Sequence, residues 1–121
     1  MPDVSVVQVE ALSTLPVAGH SADLVLCFTV LQHLADSALA AVAREVGRVL
    51  RPSGSIILVE ETDETLEAGS ADRADLGYTK GRSVETYAAL FAPRRLVHTR
   101  PRRIEPTYPR SDVGSYMVFS G

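Results

Sequence analysis

The sequence has 121 residues, 45% of them hydrophobic and 22% charged, with a formal net charge of −3. That balance excludes a disordered chain and a membrane protein, and it fits one globular domain able to bury roughly two-thirds of its unfolded surface. One cysteine excludes an intramolecular disulfide; no apolar run nears the roughly 20 residues of a spanning helix and no basic-then-apolar leader follows Met1, so a cytoplasmic location is expected.

Val4 to Val9 places four valines in six residues, the β-branched enrichment of a buried strand. Residues 11–22, with Pro16 and Gly19, read as a connection. Leu24 to Phe28 is a continuous apolar run that predicts a central strand of a parallel sheet, covered on both faces. Cys27 lies inside it, where a small buried thiol is the plain reading and a nucleophile the alternative. From Ser37 to Leu50, Leu39, Val42, Ala43, Val46, Val49 and Leu50 recur at spacings of three and four, an amphipathic helix with Asp36 or Ser37 as its cap. Arg48 and Arg51 suit its last turn, and Pro52 with Gly54 ends it. Ser55 to Glu60 predicts a strand around Ile56-Ile57-Leu58-Val59.

The polar stretch Glu61 to Arg82 exceeds ordinary connections and is of the kind that carries function or moves. Its acidic start, Glu60 to Glu64, reads as a solvated loop, with a divalent ion or cationic substrate as the alternative. Ser83 caps a short predicted helix to Phe91, with Tyr87, Leu90 and Phe91 facing the core. Leu96 to Ile104 and Ser115 to Phe119 predict an antiparallel pair joined by a loop holding Pro106, Pro109 and Gly114. The bases Arg94, Arg95, Arg100, Arg102 and Arg103 lack interleaved aromatics, so a solvated face is favoured over a nucleic-acid surface. The element order implies an α/β fold, parallel at first and closed by the antiparallel pair.

The run Ser21-Ala22-Asp23-Leu24-Val25-Leu26-Cys27-Phe28-Thr29-Val30-Leu31-Gln32-His33-Leu34 resembles the fourth motif of class I S-adenosylmethionine-dependent methyltransferases. Leu50-Arg51-Pro52-Ser53-Gly54, followed by the next strand, resembles that family's leucine-arginine-proline-glycine-glycine turn, with Ser53 in place of a glycine. The resemblance extends over Val7 to Pro16, similar to the family's third strand and loop, and over the last helix and hairpin. It implies a single domain, residues 1–121, equivalent to the C-terminal half of the family's fold. This is a partial Rossmann-like sheet, mixed parallel with a C-terminal antiparallel hairpin. The Gly-x-Gly-x-Gly loop and the ribose-binding acid of the family's first two strands have no counterpart in the sequence, so the chain reads as truncated.

In the family's strand order, two absent strands would leave roughly 14 Å between Val4–Val9 and Leu24–Phe28. An open apolar edge invites pairing. Direct pairing of these two segments, a homodimer, or a separate chain supplying the N-terminal half are the three solutions.

What the resemblance implies for chemistry is methyl transfer with S-adenosyl-L-methionine as cofactor. Glu10 and the Ala11 amide stand at the adenine end, and Phe28 and Thr29 line the cofactor. Gln32 and Tyr78 face the substrate, and His33 serves as general base, with packing at a helix start as its alternative. His20 and His98 are isolated, and no Cys/His spacing suggests a metal. A small-molecule acceptor is favoured over a macromolecule. The alternative function is a noncatalytic, dimeric binding protein derived from a methyltransferase that lost its cofactor loop.

Overall fold

The computed structural model describes residues 3–102 and 114–121, the side chains of 74–76 excepted. Its main sheet has four strands in the order β1-β2-β6-β5: β1 (Ala22–Phe28), β2 (Leu50–Glu61), β5 (Arg95–Arg102) and β6 (Gly114–Ser120). β1 runs parallel to β2, while β6 is antiparallel to both β2 and β5. The expected parallel start and antiparallel close are both present. Arg103, Ile104, Pro106 and Pro109 lie outside the described residues.

Helix α1 (Asp36–Val49) follows β1 and turns Leu39, Val42, Val46 and Val49 onto one face of the sheet, as their spacing requires. Its cap differs from expectation. Ala35 is the N-cap, with no side-chain hydrogen bond, because the Asp36 carboxylate is drawn to Lys80 and Arg82 instead. Helix α2 (Val84–Leu90) starts on Ser83, whose Oγ accepts the Thr86 N–H at 3.0 Å. Tyr87 and Phe91 then join Cys27, Ile56, Leu58, Met117 and Phe119 in the core. The Phe91 and Phe119 rings are 5.4 Å apart and tilted.

The turn expected at Pro52 and Gly54 lies within β2. Ala22 pairs with Leu50 but Leu24 pairs with Ser55, so residues 51–54 bulge from the ladder. Glycine is needed there, since a Cβ on Gly54 would meet Arg51 O at 3.0 Å and Asp23 O at 3.1 Å. Arg94 holds the bulge by donating to the carbonyls of Gly54 and Arg51.

Two expectations are corrected. Residues 3–9 form no strand, and Val4, Val6 and Val7 are 76%, 93% and 62% exposed. A strand-prone sequence without a paired neighbour gains no ladder bonds to offset the entropy of ordering it. For the same reason β1 is not central: among the described residues nothing pairs with its outer edge. α1 and α2 cover one face of the sheet. On the other, Leu24, Leu26 and Phe28 are 51%, 59% and 51% exposed.

The long polar stretch is folded. It contains a small hairpin, β3 (Glu67–Ala68) with β4 (Thr79–Lys80), and short 3-10 turns over Ala71–Leu76.

Candidate functional site

The carboxyl ends of β1 and β2 carry a single-turn 3-10 helix, Leu31–His33, which ends β1 and leads to α1. Parallel strands present their loops at these ends, where ligands of α/β sheets bind. Thr29 makes the turn possible. Its backbone sits at φ 53°, its N–H donates to Val59 O at 2.7 Å, and its hydroxyl donates to Phe28 O at 2.7 Å.

A single-turn helix has almost no internal hydrogen bonding, so its backbone groups need outside partners. Glu60, fully buried at the end of β2, supplies them at the front: Oε2 accepts the N–H of Val30 at 3.2 Å and of Leu31 at 3.1 Å, and Oε1 accepts that of Gln32 at 3.2 Å. Burial pushes the Glu60 carboxyl above its ordinary range, against the pull of those three donors. The reading of Glu60 as part of a solvated acidic loop is therefore overturned. Arg82, 3% exposed, serves the back of the turn: its Nη1 donates to Leu31 O at 3.0 Å, Nη2 to Leu34 O, and Nε to Asp36 Oδ1 at 2.9 Å. Neither Glu60 as a clamp nor Arg82 stood out in the sequence. The one available sign is an acid placed directly after the buried run Ile56–Val59.

His33 lies exposed at the end of the turn, its Nδ1 at 2.9 Å from Tyr78 O and 3.1 Å from Thr79 Oγ1. A carbonyl can only accept, so the neutral ring carries its proton on Nδ1 and leaves the Nε2 lone pair outward. Gln32 turns its Oε1 to the Glu61 N–H at 2.8 Å, which leaves its amide NH2 for another group. Tyr78 is buried, and its hydroxyl donates to Glu67 Oε2 at 2.7 Å. Of the expected site residues, Phe28, Thr29, Gln32, His33 and the Tyr78 backbone are thus brought together. Glu10 and Ala11 are exposed outside the sheet. Among the described residues no group of His, Cys, Asp or Glu is arranged to hold a metal, and no helix is long and apolar enough to cross a membrane. Burial pushes the Cys27 thiol up to about 11, the opposite of what a nucleophile needs.

Residues 2–58 match the methyltransferase-domain family model, a span that takes in β1, the turn, α1 and most of β2. The fold is part of that of the S-adenosylmethionine-dependent methyltransferases. A methyltransferase of Methanosarcina mazei superposes with TM-score 0.73 at 15% identity, over 93% of this chain and 65% of that one. The 1,6-didemethyltoxoflavin-N1-methyltransferase of Burkholderia thailandensis, solved with bound 1,6-didemethyltoxoflavin and S-adenosylhomocysteine, gives 0.68 at 18% identity, over 90% of this chain and 47% of that one. A chain from the complex of the Haloferax volcanii Trm112 methyltransferase activator with a methyltransferase gives 0.67 at 14% identity, over 93% and 59%. The chain therefore spans less than two-thirds of each of these methyltransferases. No curated protein matches its sequence.

Proposed function

We propose that the chain is the acceptor-facing part of an S-adenosylmethionine-dependent methyltransferase acting on a small molecule. The observation that carries this reading is the methyltransferase-domain match over residues 2–58, which contains the whole turn that displays His33. S-adenosylmethionine, when bound, supplies an electrophilic methyl carbon. This chain's residues would give it one wall: the half-exposed Phe28 ring offers an apolar face, and Thr29, with its hydroxyl turned back on its own strand, presents its methyl group and backbone. Glu10 and Ala11 are proposed for the adenine end.

On the acceptor side, the Gln32 amide would orient the substrate and His33 Nε2 would take the proton from an acceptor hydroxyl or amine as the new bond to the methyl carbon forms and the methyl–sulfur bond breaks, with the thioether as leaving group. Tyr78 serves through its backbone carbonyl, which fixes the His33 tautomer. Arg100 and Arg102 lie over the rings of Tyr116 and Phe28 at 4.8 Å and 4.9 Å.

The test is calorimetric titration of the purified chain with S-adenosylhomocysteine. Saturable binding with a micromolar constant is expected, weakened about tenfold by Phe28→Ala, the loss of one aromatic face. No binding by a chain whose circular dichroism shows the folded state would overturn the claim that these residues hold the cofactor unaided.

A further inference from the structure

Two features of the chain lack partners, and each has what the other needs. β1 pairs with β2 on one side only, so the outward N–H and C=O groups of a seven-residue strand have no ladder partner among the described residues. The edge is also undefended. It contains no lysine or proline, and its one charge, Asp23, is engaged by Arg51. Meanwhile residues 4–9 have strand composition, no charge and no strand. Leu24, Leu26 and Phe28 of the edge and Val4, Val6 and Val7 of the segment supply six of the eight large apolar side chains exposed among the described residues.

We propose that residues 4–9 of one copy add as a strand to the outer edge of β1 in a second copy, and reciprocally, forming a strand-exchanged homodimer. In extended form Val4 and Val6 would point to one face and Val7 and Val9 to the other, the pattern of a strand buried on both sides. The chain beyond the segment is already fixed to its own body. Leu12 packs on the core, the Leu15 N–H donates to Glu45, and Arg48 holds the carbonyls of Leu15 and Val17. With that attachment in place, residues 4–9 make no backbone hydrogen bond to their own β1.

Area decides for reciprocity. Exchange in both directions covers Val4, Val6, Val7, Leu24 and Leu26 twice and leaves Phe28, at the end of β1, to the cofactor; with the strand backbones this is on the order of 1,000 Å², which reaches the size of a specific interface, whereas docking in one direction covers about half and does not.

The test begins with sedimentation of the full chain at about 100 µM, well above the dissociation constants such an area supports. The expected mass is twice the 13.0 kDa of one chain. Val6→Asp, at a position 93% exposed in the single chain, leaves that chain folded and weakens association by at least about tenfold, because the charge would be buried against Leu26. Geometry is read by mixing two chains in a Cys27→Ala background, one carrying Val6→Cys and the other Leu26→Cys. Mild oxidation joins them to each other in preference to like with like. A monomer at 100 µM, an undiminished V6D dimer, or cross-links only between two Leu26→Cys chains would each overturn the proposal.

Discussion

Replacing Glu60 with glutamine tests whether a buried carboxylate holds the turn that carries His33. The carboxylate accepts three backbone N–H bonds through two oxygens. Glutamine has one acceptor oxygen. In its best orientation it keeps Val30 and Leu31 and turns its NH2 toward the Gln32 N–H, leaving that donor unsatisfied and adding two buried donors without acceptors. An unsatisfied buried group costs about 1–3 kcal/mol, and the two surviving bonds lose their charge assistance. Against this, the neutral amide escapes the desolvation that raises the Glu60 pKa. The net expectation is about 2 kcal/mol of destabilisation, or a Tm lower by about 8 °C for a chain of this length.

Urea and thermal unfolding followed by circular dichroism measure the loss, and hydrogen exchange shows it locally as faster exchange of the Val30, Leu31 and Gln32 amides. The pH profile is a second readout. A carboxyl whose folded pKa is raised binds its proton more readily in the folded state. Its contribution to stability is therefore full below the ordinary carboxylate range and is lost as pH rises through the folded value. The parent should show that decline and E60Q should not. A change of less than about 0.5 kcal/mol with unaltered amide exchange would refute the assignment of the carboxylate as the clamp.

Gly81→Ala should destabilise by about 3 kcal/mol in thermal unfolding, because a Cβ there would fall 1.8 Å from the Asp63 carbonyl oxygen and the base of the long loop would have to move; a variant as stable as the parent would show that the loop yields freely. Glu45 is held down to about 2, first by the Arg48 guanidinium and then by the Leu15 N–H. Its contribution is present above the ordinary carboxylate value and lost as pH falls toward 2, so Glu45→Gln should flatten the acid limb of the stability profile.

What the sequence discloses and what it conceals divide along local and non-local causes. The stripe of Leu39, Val42, Val46 and Val49 and the cap at Ser83 are decided within a few residues, and both helices form where those signals stand. The apolar run Leu24–Phe28 announces a strand but not its neighbours, so it reads as covered on both faces although one edge and one face are open. Val4–Val9 has the right composition and lacks only a partner. Glu60 reads as one acid among four because its purpose depends on amides some 30 residues earlier. His33 was visible as a candidate. The contact that sets its tautomer, with a carbonyl 45 residues away, was not.

The turn that carries His33 draws its definition from two buried ionisable side chains, an acid and a base, on different elements. Glu60 takes N–H groups at its start, and Arg82 gives hydrogen bonds to carbonyls at its end, which is also the arrangement a short helix's own dipole favours. Both side chains are anchored in structure within this chain, one in β2 beside its parallel neighbour and the other at the base of the folded loop. The geometry of Gln32 and His33 therefore does not wait on whatever pairs with the outer edge of β1, whereas Glu10 and Ala11, exposed outside the sheet, do. A chain that fails to bind S-adenosylhomocysteine while keeping slow exchange at Val30, Leu31 and Gln32 would locate the deficit at the unpaired edge. Loss of both would locate it in the clamp.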